Sequence, residues 1–155
     1  MSEGMHVPAG GDLRQERRKV FGSRSVDFKV STLDTNGGFF VVEATDVLKG
    51  GPPRHLHHEQ EEWFYVIESD YILEIGDERY RLGPGDAVLA PRRVPHVWAH
   101  VGEGKGRLLI AFQPAGEMEA FFGQLARASN PSPDELQGLF SSHGMEVTGP
   151  PLPIE

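Results

Sequence analysis

The chain has 155 residues, seven His, no Cys and a formal net charge of −8, a length that supports one domain with a sizeable core. Its acidic balance leaves no surplus cations for a phosphate backbone or an anionic bilayer, so neither nucleic acid nor membrane is expected as a partner. The lack of Cys excludes disulfide frameworks, thiolate zinc sites, iron–sulfur clusters and a cysteine nucleophile, and any metal must bind through His and carboxylate.

Residues 1–19 are polar, with a charged run from Arg14 to Lys19, and read as a flexible or extended lead-in. Met1 to Leu13 has neither an apolar core nor a basic flank, and no apolar run is longer than Trp63 to Ile67 or Leu108 to Phe112. The expected location is therefore the cytoplasm, in soluble form. Val26, Phe28 and Val30 alternate with polar residues, and Asn36-Gly37 predicts a hairpin turn into a second strand over Phe39 to Ala44. After Gly50 to Pro53 come short runs at 62–68, 71–75, 79–82, 87–90, 96–101 and 107–113, punctuated by Gly and Pro. That rhythm predicts a sandwich or barrel over residues 20–114.

Beyond Pro114, Met118, Phe121, Phe122 and Leu125 follow helical spacing, which predicts a helix over 117–128 with Glu117 and Glu119 at its positive end. Ser132, Pro133 and Glu135 open a second helix with a capping box, and Leu136, Leu139 and Phe140 form its apolar stripe up to Gly144. Helices this short need a surface, and residues 115–155 are expected to pack outside the barrel and to end in an extended Pro-rich tail. Trp63, Tyr65 and Ile67 face opposite to Phe64 and Val66 on one strand and also need cover, from the helices or from a second copy in a homodimer.

Five of the seven histidines lie between positions 55 and 100. His55 and His57, two apart on a strand, project from one face and can reach one ion. Glu62 opens the next strand at the mouth of an apolar cavity, and His96, after Pro91 and Pro95, can supply a third imidazole. His58 faces away, His143 suits a helix C-terminus and His6 lies in the lead-in. His100 shares parity with His96 and Trp98 and is either a pocket residue, an outer partner of a ligand, or a hydrogen-bonded barrel histidine. Arg92 and Arg93 either steer an anion or are simply solvated.

The segment His55-Leu56-His57, Glu62 and Ser69 resembles the first motif of the cupin superfamily, and Gly85, Pro91-Arg92-Arg93 and His96 resemble the second. The flanking Gly51-Pro52-Pro53, Trp63 to Glu68 and Pro114-Ala115-Gly116 are similar to a single-domain bacterial group described as quercetin-dioxygenase-like. Three positions depart from the pattern: Ser69 and Arg93 stand where the motifs usually have glycine, and His100 where the second usually has asparagine.

The resemblance implies an all-β double-stranded β-helix, a jelly-roll barrel with two short C-terminal helices. It further implies one divalent ion, of iron, manganese, nickel, copper or zinc, on His55, His57, Glu62 and His96. Glu62 would double as the catalytic base, with Phe64, Trp98 and His100 lining a pocket for a small-molecule substrate. The activity implied is ring-opening dioxygenation of an enolisable aromatic. A non-oxidative isomerase, lyase or decarboxylase and a non-catalytic binding module share the same ligands and stay open beside it.

Overall fold

The computed structural model describes residues 4–154; residues 1–3, which open the expected lead-in and its targeting reading, and residue 155 lie outside the described part. In chain order the strands are β1 (Arg18–Val20), β2 (Arg24–Val30), β3 (Phe40–Asp46), β4 (Arg54–His57), β5 (Glu61–Glu68), β6 (Tyr71–Ile75), β7 (Glu78–Leu82), β8 (Ala87–Ala90), β9 (His96–His100), β10 (Gly106–Gln113) and β11 (Met145–Gly149). The helices are α1 (Met118–Arg127) and α2 (Pro133–Ser142). One sheet has the order β1-β2-β3-β10-β5-β8 and the other β11-β4-β9-β6-β7, with every pairing antiparallel. The two sheets make the jelly roll, and alternate residues meet between them. Phe28, Phe40, Val42, Phe64, Val66, Leu108, Ile110 and Phe112 come from the first sheet, and Tyr71, Leu73 and Trp98 from the second, all buried.

Several elements differ from the sequence expectation. The segment before β1 is docked rather than solvated. Asp12 is buried and accepts from the backbone N–H of Phe28 (2.7 Å), Arg14 (2.8 Å) and Glu16 (3.2 Å) and from the guanidinium of buried Arg18, which lies 3.6 Å over the Phe28 ring. The charged run thus supplies Arg18 to an interior ion pair with Asp12, which charge counting along a sequence does not reveal. The Asn36-Gly37 link is also longer than a two-residue hairpin: a 3-10 turn, Thr32–Thr35, precedes it, capped by Ser31 and Asp34, with Asn36 at φ 54° and Gly37 at φ 83°. Glu119 of α1 accepts from Thr32 N (2.8 Å) and Ser31 Oγ (2.9 Å), tying the helix to that turn.

The helices do form where their patterns place them. Met118, Phe121, Phe122 and Leu125 are the buried face of α1, and the Ser132–Glu135 capping box opens α2. They do not lie over Trp63 and Tyr65, however. Phe121 packs edge-on to Phe140 of α2 at 4.9 Å, and Phe140 in turn to His55 at 5.1 Å, so the helices close one end of the barrel. β11 was not foreseen in the C-terminal segment. It pairs with β4, Met145 opposite His57 and Val147 opposite His55, flanking the strand that carries two of the candidate ligands.

Candidate metal centre

Three imidazoles come from the five-stranded sheet and the carboxylate from the six-stranded one. On β4, His55 and His57 point inward, and the β4–β9 pairing sets His55 directly opposite His96. Glu62 reaches across the interior from β5, between Phe112 of β10 and Ala90 of β8. One possible ligand atom from each of His55, His57, Glu62 and His96 lies within 4.8 Å of the others, and all four residues are buried. The rings of His57 and His96 stack at 5.5 Å, and His55 sits 4.6 Å from His96.

Hydrogen bonds behind the rings decide what faces the centre. Gln60 donates its amide N–H to the carbonyls of Ala115 (2.7 Å) and Pro114 (3.2 Å), which turns its Oε1 toward Nδ1 of His57 at 3.2 Å. His57 therefore donates from Nδ1, and its Nε2 faces Glu62 Oε1 at 2.9 Å. Likewise His55 donates from Nδ1 to Pro53 O at 2.8 Å, which leaves its Nε2 lone pair for the centre. His96 Nε2 lies 2.8 Å from the same carboxylate oxygen. At these distances a proton or a metal ion must lie between each ring nitrogen and the carboxylate oxygen, and three nitrogen donors with one carboxylate suit a borderline divalent ion. The residues present fit a metal.

Burial alone would raise the Glu62 carboxyl, but the His96 and His57 rings outweigh it and hold it well below the ordinary carboxylate range. His55 is pushed down to about 3, chiefly by burial, with His96 and His57 adding to it. A base depressed from 6.5 to about 3 on folding contributes its full stability above pH 6.5 and loses it as pH falls toward 3. Glu62, depressed as an acid, also loses its contribution in acid. Metal-free protein is thus expected to lose about 1.4 kcal/mol per pH unit for each proton taken up below pH 6.5. Urea midpoints measured from pH 8 to pH 4 check this, and a flat profile over that range would contradict a neutral, buried His55.

Beside the cluster is a cavity of about 30 Å³ whose lining includes His55, Glu62, Trp98, Phe112, Phe140 and Met145. Trp98 stands where the strand parity placed it. Phe64 and His100 do not line this cavity. Phe64 is buried behind it, 5.9 Å from the His96 ring and 6.5 Å from Trp98. His100 is a structural histidine: Nδ1 donates to Leu48 O at 3.1 Å, Nε2 accepts from Ser69 Oγ at 3.0 Å, and its ring lies 5.2 Å from Tyr71. Both positions share parity with the site, but parity fixes a face of the strand and not the depth along it. His58 is exposed, and Glu61 is held by Arg92, as Glu59 is by Arg93. Those two arginines are paired on the surface and do not point into the site.

The sequence reading missed Gln60 and the apolar cover. Gln60 sits among acidic residues in a turn, and its one available signal is Gly116, whose φ is 54° and where a Cβ would come within 2.2 Å of the Gln60 amide. Phe140 and Met145 are far from the motifs in sequence, and nothing local marks them as cavity residues.

Residues 45–112 match the family model described as "Cupin domain". Among curated proteins, the chain is 25% identical over 60 residues to an uncharacterized protein, MJ1618, of Methanocaldococcus jannaschii; the match covers 39% of this chain and about half (48%) of that relative. Among solved structures it is similar to KdgF from Halomonas sp. (TM-score 0.61, 20% identity, 76% of this chain and 99% of that one). It is also similar to a predicted oxalate decarboxylase from Thermotoga maritima (TM-score 0.55, 13% identity, 60% and 82%) and to Pac13, a nucleoside dehydratase (TM-score 0.52, 15% identity, 67% and 79%). At these identities the likeness is one of fold. Among the described residues no helix is long and apolar enough to cross a membrane. Residues 45–112 thus match the cupin-domain model, and the chain folds as a two-sheet jelly roll like those structures, with His55, His57, Glu62 and His96 gathered inside it.

Proposed function

We propose that the chain is a metal-dependent enzyme acting on a small enolisable compound, with His55, His57, Glu62 and His96 as ligands and Glu62 also handling the proton. The observation that carries this is the convergence of three buried imidazoles and one ionised carboxylate at the wall of a small apolar cavity. A bound divalent ion would supply Lewis acidity to a substrate oxygen and so acidify the adjacent C–H or O–H. Glu62 engages both rings through Oε1, and its Oε2 makes no hydrogen bond among the described residues, which leaves an ionised oxygen to accept that proton. Trp98, Phe112 and Phe140 exclude water around it.

A cavity of about 30 Å³ is far below the roughly 300 Å³ at which drug-sized pockets begin. That favours a compact substrate over a three-ring flavonol, and even a short acid requires the cover from Phe140 and Met145 to give way. Dioxygenation of a small enediol remains the second reading, favoured by the aromatic lining, which suits apolar dioxygen. The deciding experiment loads the protein in turn with manganese, iron, nickel, copper or zinc and supplies small enediols and oxo compounds in deuterated water. Deuterium entering the substrate without oxygen uptake supports isomerase or lyase chemistry, and stoichiometric oxygen uptake supports dioxygenation. Saturable binding with neither outcome would make the protein a binding module and overturn the enzyme reading.

The partner expected from the sequence is a second copy. Trp63 and Tyr65 stack at 5.7 Å on the outer face of β5, with Leu89 paired beside Trp63, and α1 and α2 leave all three exposed. Light scattering is expected to give twice the 17.1 kDa chain mass, and Trp63→Glu to halve that value. A wild-type mass near one chain would end the homodimer proposal.

A further inference from the structure

Arg24, on β2, is buried at 6% exposure and lines the same cavity as His55, Glu62 and Trp98. Its guanidinium is fixed from several sides. Nε donates to buried Asp46, whose other oxygen accepts from Tyr71 Oη at 2.6 Å, and Nη2 donates to Gly50 O at 3.0 Å. The Cζ atom lies 4.9 Å over the Trp98 ring and 5.9 Å over Phe21. The Tyr71 phenol is pushed upward by burial and by Asp46, so it remains a donor to that carboxylate. Nη1 alone of the three guanidinium nitrogens is buried with no acceptor. A buried charged donor without a partner is costly, and such groups are characteristic of sites that supply the partner from outside.

We infer that Arg24 is the second anchor of the substrate, its Nη1 donating to a carboxylate at the end of the molecule remote from the metal ligands. This rests on the metal-dependent reading above and narrows its substrate class to short oxo- or hydroxycarboxylic acids. Arg24, His55, Glu62 and Trp98 line one cavity, with the guanidinium lying over Trp98, so both anchors can meet a single small molecule. The pairing with Asp46 leaves Arg24 no net charge to attract anions at long range. What it provides is a charge-assisted hydrogen bond of fixed direction inside an apolar wall, which rewards a terminal carboxylate and penalises a methyl group in its place.

Succinate and butyrate have equal chain length and differ in one terminal carboxylate, so they separate the two anchors. Calorimetric titration of the metal-loaded wild type is expected to show succinate binding at least tenfold tighter than butyrate. Arg24→Lys, which can still pair with Asp46 but lacks the second guanidinium nitrogen, is expected to bind the two about equally. Arg24→Met combined with Asp46→Asn removes the pair without stranding a charge and is expected to do the same; should it fail to fold by circular dichroism, Arg24→Lys decides alone. Metal content is measured on every sample. A wild type that takes up no metal overturns the reading of the centre. A metal-loaded wild type without the preference, or an Arg24→Lys protein that keeps it, overturns the role of Arg24 alone.

Discussion

His57→Ala is expected to lower metal affinity by more than about 100-fold, beyond the 10–100-fold that loss of an outer partner of a ligand costs. His57 is the ring whose two nitrogens are most fully assigned, with Nδ1 to Gln60 and Nε2 to the centre. Removing it takes away a ligand and leaves Glu62 with one neighbouring ring fewer. Elemental analysis after dialysis is expected to find metal in the wild type and little in the variant. Gln60→Ala should fall within the 10–100-fold range, because His57 stays but its tautomer and orientation are released. His58→Ala, one residue from His57 and exposed, should change nothing. Equal metal in wild type and His57→Ala would remove the ligand assignment. Equal losses in His57→Ala and His58→Ala would point to a folding defect of β4.

Asp12→Ala is expected to cost about 3–5 kcal/mol, the range for removing one partner of a buried ion pair. The carboxylate accepts from three backbone N–H groups and the Arg18 guanidinium, and its loss leaves Arg18 over Phe28 with Glu16, at 2.7 Å, as its one carboxylate partner among the described residues. Those hydrogen bonds hold the Asp12 carboxyl below its usual value although burial pushes the other way. Urea denaturation measures the effect, and Asp12→Asn, which keeps acceptor capacity but not charge, should lie between the two. A cost below about 1 kcal/mol, the level of an exposed pair, would mean that the segment before β1 contributes little to the native state.

The candidate cluster was legible because it depends on two local quantities, strand parity and motif spacing. His55, His57 and His96 fall on inward positions of β4 and β9, and Glu62 on an inward position of β5. The pocket was less legible, because Phe64 and His100 satisfy parity yet lie at the wrong depth, and depth is set by sheet twist and by what fills the ends. Arg24 and Gln60 carried no signal of their own: an arginine in an alternating strand and a glutamine among glutamates are ordinary until the fold buries them. The two helices show the same limit from the other side. Their apolar stripes state that one face is buried but not against which surface, and the surface was the barrel mouth.

The departures from the motifs turn out to be coupled. Ser69 (φ 76°) and Arg93 (φ 69°) adopt the left-handed conformation that glycine would supply, at some cost in strain. Ser69 pairs its hydroxyl with His100, itself a departure, and the backbone N–H of Arg93 donates to the His57 carbonyl at 2.7 Å. Two odd residues in separate motifs are thus one contact.

The order of elements along the chain has a consequence for how an ion gets in. All four candidate ligands precede residue 97, whereas Phe140 and Met145, which cover them, belong to α2 and β11. During synthesis from the N-terminus, the ligand cluster is complete before its cover has emerged. A hydrated ion can therefore enter an open-ended barrel and be enclosed afterwards. In the finished fold the cover from α2 and β11 stands on that route, so an ion or ligand arriving later meets Phe140 and Met145 there.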